Sequence, residues 1–276
     1  MTIHAYVEGV GLCGPGLTGW EASRAILAGV RPYVSMPAVV PPSSLLPANE
    51  QRRMVKTVKL AMAVGSEAVF HAGRDASVTP TVFTSSGGDG DTVHEILEAL
   101  TTPEREVSPT RFHNSVHNAP AGYWSIATRS REPTTALCGY DASFAAGLLD
   151  AAAQAAAEDR PVALIAYDLP YPEPLHTVRP IVSLFGTALV LSPRRADHSL
   201  ARLSIALQRG GGKPVSMPDP ALEKLRSGNP AARSLPLLAA LARHAAETVT
   251  VEYRGTQNLV VEVAPIGTRS RFVRAA

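Results

Sequence analysis

Cysteine is almost missing from the sequence, since its 276 residues include only Cys13 and Cys138. Two thiols cannot build the disulfide framework of a small secreted domain, and neither stands at metal-ligand spacing from a histidine. We therefore expect both cysteines to be reduced and the protein to hold no metal and no cofactor.

An excess of one charge is also missing, because 26 lysine and arginine residues face 24 aspartate and glutamate residues. This balance provides no basic face for nucleic acid, which we exclude as a partner. No apolar run approaches the roughly 18 residues that cross a membrane, and the first residues lack the basic start and apolar core of a signal peptide. The sequence predicts a cytoplasmic protein without a membrane partner.

Apolar runs and helical patterns alternate along most of the chain, and hydrophobic residues make up 45% of it. The runs PVALIAYD (161–168) and GTALVLSP (186–193) indicate buried strands, and TVTVEYRGTQNLVVEVAP (248–265) is typical of a hairpin that turns at Gly255. Four prolines make residues 34–48 an irregular connection. The alternation predicts a layered α/β fold with a central sheet covered by helices.

Two polar segments have the spacing of ligand sites. The segment SSGGDGDT (85–92) follows a predicted strand and precedes a predicted helix, where backbone N–H groups can hold a phosphate. It matches neither the P-loop nor the dinucleotide pattern, so a turn that needs positive φ is the preferred explanation. His113 and His117 would share one face of a helix, as two metal ligands do, but no third ligand completes a site. We interpret them as polar residues near an interface.

The segment TTALCGYDASFAAGLLDAA (134–152) runs from an apolar strand through a small-residue turn into an alanine-rich helix. Several acyl-transfer enzymes present a nucleophilic cysteine in this way. Cys138 lies before the turn, away from the helix N-terminus that lowers a thiol pKa, so we expect it to be buried and inert. Asp141 directly precedes the helix that begins near Ala142, which predicts that its carboxylate caps that helix.

Five segments in the same order resemble the β-ketoacyl synthase family of the thiolase-like fold. They are YVEGVGLCGPGLTGWEASRAILAG, VFTSSGGDGDT, NSVHNAPAGYWSIAT, the alanine-rich helix and RPVALIAYD. The third contains the Asn-x-x-Ala-Gly pattern at Asn118, Ala121 and Gly122. The resemblance implies an α/β, layered thiolase-like (αβαβα) ketosynthase fold in one domain, 1–276, with a complete N-terminal half (1–191) and a shortened C-terminal half (192–276).

The resemblance also implies that the condensing chemistry is missing. Counting back without gaps from Val162 places the family's nucleophile position on Asp141, and a carboxylate cannot form the required thioester. The family's two histidine motifs, of HGT and Gly-His type, do not occur after Asp141. The chain thus resembles the short, catalytically defective chain-length factors of type II polyketide pathways, especially those that make aryl polyenes.

Such a factor forms a heterodimer with a complete ketosynthase, in a pathway that also uses an acyl carrier protein. In the family, the strand before the nucleophile and the Asn-x-x-Ala-Gly segment lie at a two-fold interface. Side chains that project there would set the floor of the partner's acyl tunnel and so limit chain length. The candidates for this role are Phe112, His113, Val116, His117 and Asn118.

Tyr140 and Phe144, around the vacant nucleophile position, would fill the chain's own pocket. Ordinary core packing explains Phe112 and Phe144 equally well.

Two alternatives stay open. The first is a small acyltransferase or thiolase-like enzyme in which Cys138 is the nucleophile and His113 or His117 the base, which requires thiol and imidazole within hydrogen-bond reach. The second is a scaffold that docks an acidic acyl carrier protein, although a solvated helix face explains the same charges. The basic residues of that scaffold, on one predicted helix, are Arg52, Arg53, Lys56 and Lys59.

Overall fold

One mixed β-sheet forms the centre of the molecule, in a computed structural model that describes residues 1–42, 46–210 and 212–267. Its strands are β1 (Thr2–Gly14), β2 (Leu17–Thr18), β3 (Thr81–Thr84), β4 (Thr134–Leu137), β5 (Val162–Asp168), β6 (Phe185–Ser192), β7 (Ala201–Arg209), β8 (Glu247–Arg254) and β9 (Gln257–Pro265). Their order is β4-β3-β5-β6-β1-β7-β9-β8, with β2 paired to β1. The β3–β4 and β3–β5 pairs are parallel, and the other pairs are antiparallel.

Helices cover both faces of this sheet. They are α1 (Trp20–Leu27), α2 (Ala48–Arg53), α3 (Lys56–His71), α4 (Gly90–Thr101), α5 (Pro109–Asn114), α6 (Ala119–Thr128), α7 (Ser143–Glu158), α8 (Leu175–Val178), α9 (Pro220–Gly228) and α10 (Leu235–Arg243). The core on one face takes its helical residues from α1, α7, α9 and α10. The core on the other face takes them from α3 and α6.

The central strands divide their side chains between these two cores. In β5 every residue is buried, and Leu164 belongs to one core while Ile165 belongs to the other. A strand covered on both faces needs apolar residues at consecutive positions, which explains the continuous run at 161–168. The predicted strands at 80–84, 161–168 and 186–193 and the hairpin around Gly255 are confirmed.

A carboxylate from α3 ties the first strand to the first helix. Glu67 accepts hydrogen bonds from the backbone N–H groups of Leu12, at 2.8 Å, and Trp20, at 2.6 Å. Helix α1 begins after Gly19, which has no side chain to cap it, so Glu67 satisfies an amide that would otherwise lack a partner. This contact joins residues 55 and 47 positions apart, beyond the reach of local sequence patterns.

The strands that follow β6 in the sequence extend the same sheet. Strand β7 pairs with β1, and the hairpin of β8 and β9 continues the sheet beyond β7. The layered α/β fold with a central sheet covered by helices, expected from the sequence, is confirmed. Residues 34–42, 46 and 47 form no helix or strand, as predicted for residues 34–48, but Ala48 begins α2, and residues 43–45 lie outside the described residues. In the ranges that the structure describes, no helix is both long enough and apolar enough to span a bilayer.

Candidate functional site

An apolar groove of about 730 Å³ lies between helices α4 and α8. Its walls include Val93 and Leu97 of α4 and Leu175 and Val178 of α8, whose side chains are substantially exposed. Polar atoms reach it from only a few residues, among them Ser86. Volumes of about 300–1,000 Å³ with few polar groups are typical of ligand sites.

The glycine-rich turn between β3 and α4 forms part of this groove and is anchored to Asp168 at the end of β5. The Asp168 Oδ1 atom accepts hydrogen bonds from the Ser86 backbone N–H at 2.8 Å, the Ser86 hydroxyl at 2.7 Å and the Ser85 hydroxyl at 3.1 Å. Gly88 has φ 69° and donates its N–H to the Ser85 hydroxyl. The backbone N–H groups of Ser86 and Gly88 thus donate to side chains of the protein and are not directed at a phosphate. This agrees with the interpretation of the segment as a turn that needs positive φ.

Asp168 is a buried carboxyl group, and burial raises its pKa to about 6. Hydrogen bonds from Ser86 and Ser85 act in the opposite direction, as does the positive charge of Arg179. Its second oxygen, Oδ2, has no hydrogen-bond partner among the described residues. At the end of this buried strand, Oδ1 therefore accepts three hydrogen bonds, whereas Oδ2 accepts none from the described residues.

The turn before α7 corrects the expected role of Asp141. Residues Tyr140–Ala142 form a short 3₁₀ turn, α7 begins at Ser143, and its N-cap position is Ala142, so the prediction that Asp141 caps the helix is wrong. The 3₁₀ turn moves the carboxylate away from the helix N-terminus. It instead forms ion pairs with Arg179 at 2.6 Å and with Arg233 at 3.3 Å.

The two arginines join this turn to other parts of the chain. Arg233 precedes α10 and also pairs with Glu252 of β8. The guanidinium carbon of Arg179 lies 3.6 Å from the ring centroid of Tyr140, a cation–π contact. Tyr140 has φ 54°, and its exposed side chain lines the apolar groove. The nucleophile position implied by the family resemblance thus holds a carboxylate neutralised by two largely buried arginines.

Cys138 is exposed, which corrects the expectation of a buried residue. It directly follows β4, the terminal strand of the sheet, so no further described strand covers it. Its thiol donates to the Ser86 carbonyl at 3.1 Å and lines a second pocket, of about 620 Å³, together with Asp141. Cys13 is buried, and burial raises the pKa of its thiol to about 11.

The two candidate histidines contact other groups. The His117 Nε2 atom forms a 3.1 Å hydrogen bond with the Ser85 carbonyl, and the His113 ring packs edge-on against Tyr123. Among the hydrogen bonds of the described residues, none joins either imidazole to Cys138. Helix α5 ends at Asn114, so His113 and His117 do not share a helix face. No group of three or more histidine, cysteine or carboxylate residues in the described ranges is arranged to hold a metal ion.

The tunnel-floor candidates lie on α5 and the turn after it. The side chains of Phe112 and Val116 are 66% and 48% exposed, far more than core packing would leave them. His117 and Asn118 line a third pocket, of about 440 Å³, beside β4. Phe144, in contrast, is fully buried in the core under α7, so it cannot project into a pocket.

The four basic candidates are exposed but do not share one helix, so that prediction is wrong. The buried residue Met54 is extended, which ends α2 at Arg53 and lets α3 begin at Lys56. Lys56 pairs with Asp91 at 2.9 Å, and Arg53 pairs with Glu50 at 3.4 Å. Arg52 and Lys59 both line one further pocket, of about 480 Å³.

Sequence reasoning missed the groove walls and the two arginines. The exposed apolar residues of α4 and α8 are separated by more than 70 positions in the sequence, and no local pattern pairs them. Arg179 and Arg233 carry no motif. Asp168 did carry a signal, because a charged residue that ends a fully buried strand needs hydrogen-bond donors around it.

Comparisons with known proteins match this arrangement to one family. The model of the β-ketoacyl synthase N-terminal domain matches residues 28–254. No curated protein matches the sequence. A solved complex of a ketosynthase with its chain length factor from Xenorhabdus doucetiae contains a chain similar in fold, with a TM-score of 0.71 and 21% identity, covering 94% of this chain and 98% of that one.

Two further solved structures have the same fold. One is the ishigamide ketosynthase/chain length factor, with a TM-score of 0.68, 16% identity and coverage of 96% of this chain and 100% of that one. The other is a β-ketoacyl synthase from Burkholderia phymatum, with a TM-score of 0.65, 11% identity and coverage of 97% and 100%.

Proposed function

Because the chain belongs to the family of the β-ketoacyl synthase N-terminal domain, we propose that it is a non-catalytic chain-length-factor subunit. It pairs with a complete β-ketoacyl synthase in the cytoplasm, in a type II polyketide pathway of the aryl polyene kind or a fatty-acid-like pathway. The complex receives its substrates from an acyl carrier protein. The subunit limits acyl chain length sterically and does not itself catalyse condensation.

The observation that carries this proposal is the state of Asp141. A condensing subunit needs a thiolate at this turn, with imidazoles beside it. Here a carboxylate occupies the position that the resemblance assigns to the nucleophile, and Arg179 and Arg233 neutralise it. The exposed thiol of Cys138 contacts a carbonyl oxygen instead of an imidazole. Neither group has the partners that the condensing reaction requires.

The proposed interface includes β4, α5 and the start of α6. Strand β4 is the last strand of the sheet, and its other edge carries no further described strand. Unpaired strand edges readily accept a strand from another chain. The pocket of His117 and Asn118 lies beside this edge, because Thr134 and Ala136 of β4 also line it.

The proposed mechanism is steric. Phe112, His113 and Val116 are exposed on α5 and the following turn, and apolar side chains grouped at a surface mark sites where a partner binds. In the complex, these side chains form the floor of the partner's acyl tunnel, and elongation stops when the chain reaches them. A smaller side chain at this position deepens the tunnel.

Co-expression with the complete ketosynthase tests the mechanism. Phe112→Ala should lengthen the main product by at least one elongation step, because removing the phenyl ring opens space at the floor. Phe70→Ala, which alters a phenylalanine of α3 that is 79% exposed, is the matched control and should leave product length unchanged. The proposal fails if the two chains do not co-purify or if Phe112→Ala and His117→Ala both leave product length unchanged.

Carrier docking is a second proposed role of the same subunit. What supports it is the shared pocket of Arg52 and Lys59, because acyl carrier proteins are acidic and exposed positive charge speeds their association. Arg53, which pairs with Glu50, and Lys56, which pairs with Asp91, lie beside them and belong to the same proposed docking surface.

A carrier-binding measurement tests this docking surface. The double reversal Arg52→Glu and Lys59→Glu should weaken carrier binding by tenfold or more, and the effect should shrink as salt is raised. Arg24→Glu, on the exposed surface of α1, is the control for a general effect of charge. Equal weakening by the control would contradict a specific docking site.

A further inference from the structure

Ser86 and Asp168 form a pair of groups that the proposed function does not use. The Ser86 hydroxyl donates to Asp168 Oδ1 at 2.7 Å, the shortest of the three hydrogen bonds to that oxygen. Ser86 lines the apolar groove, whereas Asp168 lies buried behind it. A hydroxyl held by a buried carboxylate at the wall of an apolar groove is the arrangement of an oxygen nucleophile with its general base.

The surroundings of this pair suit that chemistry. Asp168 Oδ2 is buried and lacks a partner among the described residues, so the carboxyl group can still take up a proton. The hydroxyl of Tyr171 lies close to the turn, because a Cβ atom added at Gly87 would come within 1.8 Å of it. Tyr171 and Arg179 also line the groove, and both carry hydrogen-bond donors of the kind that stabilise a developing oxyanion.

We propose that Ser86, with Asp168 as its general base, is a nucleophile that accepts an acyl group from an apolar acyl thioester or ester bound in the groove. The apolar walls contributed by α4 and α8 hold the hydrocarbon chain. This activity is separate from condensation, for which the chain lacks a suitable thiolate, and it goes beyond steric control of a partner.

The proposed step balances in atoms and charge. The Ser86 Oγ atom attacks the carbonyl carbon of the thioester while its proton passes to the Asp168 carboxylate. The new C–O bond forms, the C–S bond breaks, and Asp168 returns the proton to the departing thiolate. The products are acylated Ser86 and a free thiol, and no oxidant, reductant or metal takes part.

Covalent labelling tests the proposal on the full chain. An alkyl fluorophosphonate with a long chain reacts with an activated serine by forming an O–P bond and releasing fluoride. We expect one adduct, located on Ser86 by peptide mass. A methyl fluorophosphonate should react at least tenfold more slowly, because it does not fill the apolar groove.

Two variants separate a nucleophile from a turn that is only structural. Ser86→Ala should lose the adduct, and Asp168→Asn, which keeps an oxygen acceptor at the same place, should slow labelling at least tenfold. Circular dichroism establishes whether each variant is folded. If a variant does not fold, the pH profile of the unmodified chain replaces it: labelling should rise as the pH passes about 6, since the base must be ionised.

Several results would overturn the proposal. These are the absence of a Ser86 adduct at any pH, an adduct on Cys138 or another residue in place of Ser86, and labelling of folded Asp168→Asn at the original rate. None of them depends on a ketosynthase, so this proposal and the chain-length proposal can fail independently.

Discussion

Burial of the Asp168 carboxyl group disfavours its charged form, and this effect depends on the folded structure around it. Its pKa rises from an ordinary value near 3.8 to about 6 because the folded protein removes the carboxyl group from water. Between these two values the folded state holds a proton that the unfolded state has released. The free energy of unfolding therefore falls as pH rises through this window.

Asp168→Asn should remove this pH dependence. A shift of roughly 2 pKa units corresponds to about 3 kcal/mol. Denaturant unfolding of both proteins from pH 4 to pH 7 measures the effect. The stability of the unmodified chain relative to Asp168→Asn should fall by up to that amount across the range and stay constant above it. A constant difference at all pH values would show that Asp168 titrates normally.

The Asp141 carboxylate, unlike that of Asp168, forms ion pairs with two arginines. Asp141→Asn leaves Arg179 with a weaker partner, and we expect a loss of about 1–3 kcal/mol in the free energy of unfolding. Asp91→Asn, which weakens the exposed pair with Lys56, is the matched control and should cost less than about 1 kcal/mol. Equal losses in the two variants would mean that the arginines do not hold the turn.

These residue roles mark the limit of sequence reasoning. Asp141 has the residue type and position of a helix cap, and only the 3₁₀ turn, which places its carboxylate near two distant arginines, changes that role. Cys138 is expected to be buried and inert because it lies before the turn, away from the helix N-terminus. It is exposed because strand β4, which it follows, is the sheet's edge, and strand order is a long-range property.

The open edge of strand β4 allows a test of whether the proposed ketosynthase partner pairs with this strand. The Thr81 N–H donates to the Pro133 carbonyl and the Ser85 N–H donates to the Leu137 carbonyl. Because neighbouring residues of a strand point in opposite directions, the Ala136 N–H points towards the open edge. Proline is tolerated at such positions but removes the hydrogen-bond donor.

Ala136→Pro should therefore weaken the ketosynthase complex tenfold or more while the chain itself stays folded. Ala136→Gly keeps the N–H group and should bind nearly as well as the unmodified chain. Analytical ultracentrifugation with the ketosynthase gives both dissociation constants. Unchanged binding by a folded Ala136→Pro chain would mean that the partner does not pair with this edge.

Helices and strands were predictable where their periodicity was strong. The run at 161–168 and the hairpin around Gly255 have local signals, namely continuous burial and alternation around a turn. The sequence predicts one helix that carries Arg52 to Lys59, because apolar residues recur at helical intervals from Met54 to Ala68. The structure divides it at Met54, since this residue is extended and buried, and burial of one side chain outweighs helical propensity.

At the scale of the whole molecule, one sheet joins strands from the beginning and the end of the described chain. The chain adds β7, β8 and β9 to the N-terminal strands. Asp141 links distant parts of the chain, because it pairs with Arg179 and with Arg233, and Arg233 also pairs with Glu252 of β8. The 3₁₀ turn Tyr140–Ala142 therefore connects residues that lie far apart in the sequence.

Reconstitution of chain elongation from purified components tests the central claim most directly. The ketosynthase, this chain, or both together are supplied with acyl and malonyl carrier thioesters, and the products are measured by mass spectrometry. We predict no condensation by this chain alone, and products of one defined length only when both subunits are present. Condensation by this chain alone, or the same product lengths with and without it, would contradict the account.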